Sequence, residues 1–134
     1  MIEVELLGAG LAPAGPREDE VRALCELTAH RRGIQQGHVA VEYVGAERIA
    51  ELNARHRAKA EPTDVLSFPI DGVDELAGAG PERELGDIVI CPSHTVDLRE
   101  AVVHGMLHLL GMDHETDDGE MLALQDELMR EAGA

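Results

Sequence analysis

GDIVICPSHTVDLREAVVHGMLHLLG, residues 86–111, is the stretch on which the fold reading turns. Its first six residues are apolar and β-branched, the pattern of a buried strand, and Pro92 stops it. From Val96 to Leu110 the apolar positions, Leu98, Val102 and Leu109 among them, recur at helical spacing, and Gly111 is placed to cap the helix. A strand therefore runs into a helix across one proline. Upstream, Asp64 to Ile70 (DVLSFPI) is β-rich and contains Pro69, which points to an edge strand or a strand end. The Gly- and acid-rich residues 71–85 between these two strands read as a hairpin loop. Ala46 to Arg57 carries Ile49, Leu52, Asn53 and His56 on one helical face, and Pro62 breaks the chain after it. Val39, Val41 and Tyr43 alternate with Ala40 and Glu42 as a strand. Helix 16–32 opens on Pro16 and three acids and closes on Arg31, Arg32 and Gly33. Ile2 to Leu6 alternates as a half-buried strand, and Gly8 to Gly15 is a loop. At the other end Thr116 begins a last helix, with Met121, Leu122, Leu124, Leu128 and Met129 as its apolar positions. The order β-α-β-α-β-β-α-α predicts an α/β (α+β) fold: one domain over residues 1–134, with a mixed sheet of about four strands and helices packed on it.

Composition sets the outer bounds. A chain of 134 residues is one domain on the usual range of about 100–200 residues. It has one Phe, one Tyr and no Trp, so its core is aliphatic and a base-stacking platform is excluded as the main recognition device. The net charge is -16, from 11 basic and 27 acidic residues, and Lys59 is the single lysine. Such a chain repels DNA, RNA and anionic lipid wherever its few cations are not clustered, so neither DNA nor a membrane is an expected partner. No apolar run reaches the length of a membrane span. Glu3 and Glu5, with no early cation, are unlike a secretory signal. Cys25 and Cys91 are too few for a disulfide framework and read as buried free thiols, which agrees with a cytoplasmic location.

The chemistry is concentrated in HGMLHLLGMDH, residues 104–114. His104 and His108 lie four apart on the predicted helix and so project from one face. Gly111 lets the chain leave that helix in a left-handed conformation and bring His114 back toward the pair. Three imidazoles with one position left open are the ligand pattern of a catalytic zinc site. Asp113 is either a partner that fixes a histidine tautomer or an ordinary turn acid. The spacing H-x-x-x-H-x-x-G-x-x-H is also that of metzincin proteases, which carry a glutamate base directly after the first histidine. Gly105 stands there instead, which demotes peptide hydrolysis, and a glycine at that position is expected to leave room beside the metal. A second feature, LNARHRAKAEPTDVLSFP (52–69), packs Arg55, Arg57 and Lys59 into five positions of an otherwise acidic chain. They are either helix C-terminal cations or a local anion site in which Arg57 grips a phosphate.

These two blocks, with LGDIVICP (85–92), resemble the YbeY family of metal-dependent endoribonucleases, the ribosomal RNA maturation factors. The resemblance runs from about Ala46 to Glu131, with three blocks in the family's order. It implies a single-strand-specific ribonuclease acting in ribosomal RNA processing, notably at the 3′ end of the small-subunit 16S rRNA. It also implies one Zn²⁺ held by His104, His108 and His114, and places the family's motif arginine on Arg57; Arg55 and Lys59 are expected as further RNA phosphate contacts because the three cations cluster in so acidic a chain. The chain departs from the family between Cys91 and His104, where relatives usually have a longer, partly helical stretch that would wall the cleft. His56 and Met112 stand where aromatic residues are common. Because the free protein is so acidic, a ribosomal or ribosome-associated protein is the expected recruiter. The competing readings are a zinc peptidase-like hydrolase and a non-catalytic ribosome-assembly factor with a structural metal.

Overall fold

A computed structural model describes residues 2–57, 61–70 and 83–133. The expected element order is present: β1 (Ile2–Leu7), α1 (Glu18–Arg31), β2 (Gly37–Tyr43), α2 (Ala46–Arg57), β3 (Val65–Pro69), β4 (Glu84–Ile90), α3 (Leu98–Leu109) and α4 (Glu120–Ala132), with short 3-10 turns at Ala9–Leu11 and Pro92–His94. The sheet order is β1-β2-β4-β3. β1, β2 and β4 run parallel, and β3 is antiparallel to β4. Pro69 ends the edge strand β3, where its missing N–H costs the ladder nothing. The expected hairpin loop at 71–85 lies outside the described residues as far as position 82. From Glu84 the chain is already in β4.

Strand alternation sorts the side chains into two layers. Val39, Val41 and Tyr43 of β2 and Ile88 and Ile90 of β4 join the buried faces of α1, α3 and α4 in one large core. Val89 and Cys91, one residue out of phase, pack with Leu66 under Ile49 of α2 on the opposite face. The metal-motif helix and the cation-bearing helix thus lie on opposite faces of the sheet, and the edge strand β3 runs between them. Both cysteines are buried and unpaired with each other. Burial pushes the Cys25 thiol up to about 12, which keeps it protonated. No helix among the described residues is long and apolar enough to cross a membrane.

Three helices differ in their bounds from the sequence reading, and in α3 and α4 the reason is a capping side chain where apolar periodicity gives no warning. Helix α1 is one or two residues shorter at each end than 16–32, with Arg17 and Arg32 as caps. Helix α3 begins at Leu98, not Val96. The Asp97 side chain accepts from the N–H groups of Arg99 and Glu100, and Val96 is fully exposed outside the helix. Helix α4 begins at Glu120, not Thr116. Asp117 accepts from the Gly119 and Met121 N–H groups, and Gly119 sits at φ 101°, so the chain turns once more before the helix starts.

Candidate metal centre and cleft

The end of α3 builds the turn that assembles the site. Gly111 has φ 94°, and its N–H donates to the His108 carbonyl while the Met112 N–H donates to the Leu107 carbonyl. This paired arrangement is the Schellman closure that favours glycine. It points the Met112 carbonyl back at the helix, where it accepts from Nδ1 of His108 at 3.0 Å. The chain then reverses, and the His114 ring centroid comes within 5.1 Å of His104 and 5.5 Å of His108. One nitrogen of each ring lies within 4.8 Å of the others.

The hydrogen bonds decide which nitrogens face inward. A carbonyl can only accept, so Nδ1 of His108 carries the proton and its Nε2 keeps a lone pair. Nδ1 of His104 faces the Gln125 amide oxygen at 2.8 Å, which leaves Nε2 of His104 with a lone pair as well. The two Nε2 atoms are 3.2 Å apart. Two lone pairs aimed at each other repel unless a cation lies between them. Tetrahedral zinc with ligands at about 2.0–2.1 Å would set its nitrogens roughly 3.3 Å apart. The donor set therefore fits a metal ion. Burial, then the neighbouring His104, hold the His108 imidazole below its ordinary pKa, which keeps it in the neutral form that a metal needs.

The triad forms one side of a cleft of about 1090 Å³, whose other side carries His56, Arg57 and the edge strand β3. Two contacts hold these sides together. Ser67 Oγ donates to the Gly105 carbonyl at 3.0 Å, which ties β3 to the middle of α3. The Phe68 ring meets the His56 ring edge-on at 4.5 Å, which ties β3 to the last turn of α2. Arg57 on that turn borders the cleft, partly exposed, with Nη2 3.7 Å from Glu115 Oε1 beside His114. Arg57 and the three histidines of the triad, 47 or more residues away in sequence, thus face one cavity. Residues 92–103, the stretch expected to be short of a wall, contribute nothing to the lining.

A family model described as Endoribonuclease YbeY matches residues 16–133. The chain belongs to the YbeY family. It is similar to the Endoribonuclease YbeY of Rubrobacter xylanophilus, 39% identical over 133 residues that cover 94% of this chain and 93% of that one. The Endoribonuclease YbeY of Bacillus velezensis is 38% identical over 133 residues, 85% of each chain. A solution structure from Thermotoga maritima superimposes with a TM-score of 0.56 at 27% identity, covering 96% of this chain and 88% of the other.

In this YbeY-family chain several site residues have roles that the sequence did not indicate. Gly105 does not open space beside a metal. A Cβ built on it would meet Ile88 Cγ2 at 2.6 Å, so it faces the sheet and allows α3 to lie close on β4. A glutamate there would enter the core rather than the cleft, which removes the geometric basis of a peptidase base at this position. Gly105→Ala is expected to lower stability by about 1–3 kcal/mol through overpacking. An unchanged urea midpoint would show that β4 yields freely there. Asp113 is the turn acid of the two readings: its Oδ1 accepts from the Glu115 N–H, and its carbonyl from those of Thr116 and Asp117. Arg55 is exposed on the last turn of α2 and is not part of the cleft lining. Lys59 lies outside the described residues. Gln125 was missed altogether. Its one sequence signal is an amide inside the apolar stripe Met121, Gln125, Leu128, which is the buried face of α4.

Proposed function

We propose that this protein is a metal-dependent endoribonuclease that cuts single-stranded RNA in ribosomal RNA processing, including 3′-end maturation of small-subunit 16S rRNA. The observation that carries the reading is the meeting of three inward-facing imidazoles with Arg57 across one cleft in a chain of the YbeY family. His104, His108 and His114 would hold one Zn²⁺, which supplies Lewis acidity toward a phosphoryl oxygen when bound. The chain's own groups do the rest. The three imidazoles, two with Nδ1 engaged, would present nitrogen lone pairs to the ion. Arg57 meets the phosphate with its forked guanidinium and offsets the charge that grows on it in the transition state. Glu115 lies 3.7 Å from Arg57 at the cleft mouth, a weak exposed pair that an anionic substrate can displace. The surplus of acid makes free RNA affinity weak, which supports recruitment by a ribosome-associated protein in the cytoplasm.

The test is one preparation assayed on single-stranded RNA and on unfolded protein, with and without chelator. The expected result is RNA cleavage that chelator stops, zinc restores and rising salt inhibits, with the protein substrate intact. Proteolysis restored by zinc, with RNA untouched, would replace this reading with a peptidase. Tight zinc binding with neither substrate cut would leave a structural metal in a ribosome-assembly factor.

A further inference from the structure

Helix α4 buries Met121, Gln125 and Leu128 on one stripe, and the middle member is polar. Gln125 is 7% exposed. An amide so placed needs partners, because one left unpaired costs about 1–3 kcal/mol, and a leucine would suit the stripe without that demand. Its oxygen is used at 2.8 Å on Nδ1 of His104. The two imidazoles that face each other are thus fixed in different ways. His108 is fixed locally, by a carbonyl of its own helix cap. His104 is fixed from 21 residues away, by a side chain on another helix.

We propose that Gln125 is a positioning residue of the histidine site: its Oε1 holds His104 as the Nδ1-protonated tautomer with Nε2 turned toward His108, so that docking of α4 completes the site. This rests on the reading of the three histidines as a metal centre. The opposite amide orientation would place NH₂ against Nδ1 and demand the other tautomer. The proton would then sit on Nε2, between the two rings, where a metal must go. A neutral amide sets the tautomer without burying a charge, so the site is preorganised before any ion arrives. A carboxylate at 125 would accept the same bond but would bury an unpaired charge in the metal-free protein.

The experiment combines nitrogen NMR of the histidine rings in the full metal-free chain, at alkaline pH, with zinc titration calorimetry. In the wild type, Nε2 of His104 is expected to be unprotonated. Gln125→Leu is expected to bind zinc about 10–100-fold more weakly, as for other outer partners of ligating histidines, and to show mixed His104 tautomers. Gln125→Glu, which keeps the acceptor, is expected to restore most of the affinity. A wild-type His104 protonated at Nε2 would overturn the proposal without any variant, and so decides the matter even if Gln125→Leu does not fold. Gln125→Leu with lower thermal stability but unchanged zinc affinity and tautomer would also overturn it, leaving a packing role. A wild type with the expected tautomer that binds no zinc would instead defeat the metal reading, while the tautomer result still stands for Gln125.

Discussion

His108→Ala is expected to remove metal binding and RNA cleavage together. The substitution takes away one of three inward-facing nitrogens and leaves His104 with no imidazole opposite it at 3.2 Å. Loss of an outer partner already costs about 10–100-fold in affinity, and loss of a ligand itself should exceed that range. Cleavage should fall to the level of chelated wild type. The fold should survive, because the variant gives up one hydrogen bond to the Met112 carbonyl, worth about 0.5–1.5 kcal/mol. Thermal melts separate the two effects. Zinc at about a thousand times its dissociation constant should stabilise wild type by about 4 kcal/mol, and the same concentration should leave His108→Ala almost unmoved. His30→Ala, exposed at the far end of α1, is the control and should behave as wild type. If His108→Ala keeps the zinc-induced shift, the three-histidine centre is not where the metal binds.

Arg57→Ala is expected to have nearly as large an effect on catalysis and almost none on the metal. Its guanidinium borders the cleft, and its ion pair with Glu115 is long and solvent-exposed. Breaking such a pair costs at most about 1 kcal/mol, so the variant should fold normally. Removing a charge-stabilising donor from a transition state costs about 10²–10³-fold in kcat, and the same loss is expected here with zinc affinity unchanged. Arg57→Lys should recover part of it, since a point charge replaces the sign but not the fork. Parallel loss of zinc affinity and activity in Arg57→Ala would instead make Arg57 a structural support of the cleft.

The order of elements, the mixed four-stranded sheet, its proline-ended edge strand and the histidine centre were all legible in the sequence, because periodicity, the order of helices and strands, and proline chemistry are local signals. Two-residue alternation placed Val39, Val41 and Tyr43 on one face, and a four-residue step with a glycine turn placed His104, His108 and His114 together. The helix starts at Leu98 and Glu120 were less legible. There, the short-range hydrogen bonds of Asp97 and Asp117 override an apolar pattern that begins earlier. What no local pattern could decide is which far-apart groups meet. A glycine after the first histidine looks the same in sequence whether it faces a cleft or a strand; the packing of α3 on β4 turned Gly105 toward Ile88. Asp113 beside His114 looked as eligible to steer a ring as any carboxylate, yet its Oδ1 and its carbonyl accept from its own turn. The group that does meet His104 is Gln125, brought in by the docking of a helix that sequence spacing alone cannot orient. Tautomer choice at His104, unlike that at His108, was therefore settled by tertiary contact, because a ring nitrogen responds to whatever acceptor is within hydrogen-bond reach and not to its distance along the chain.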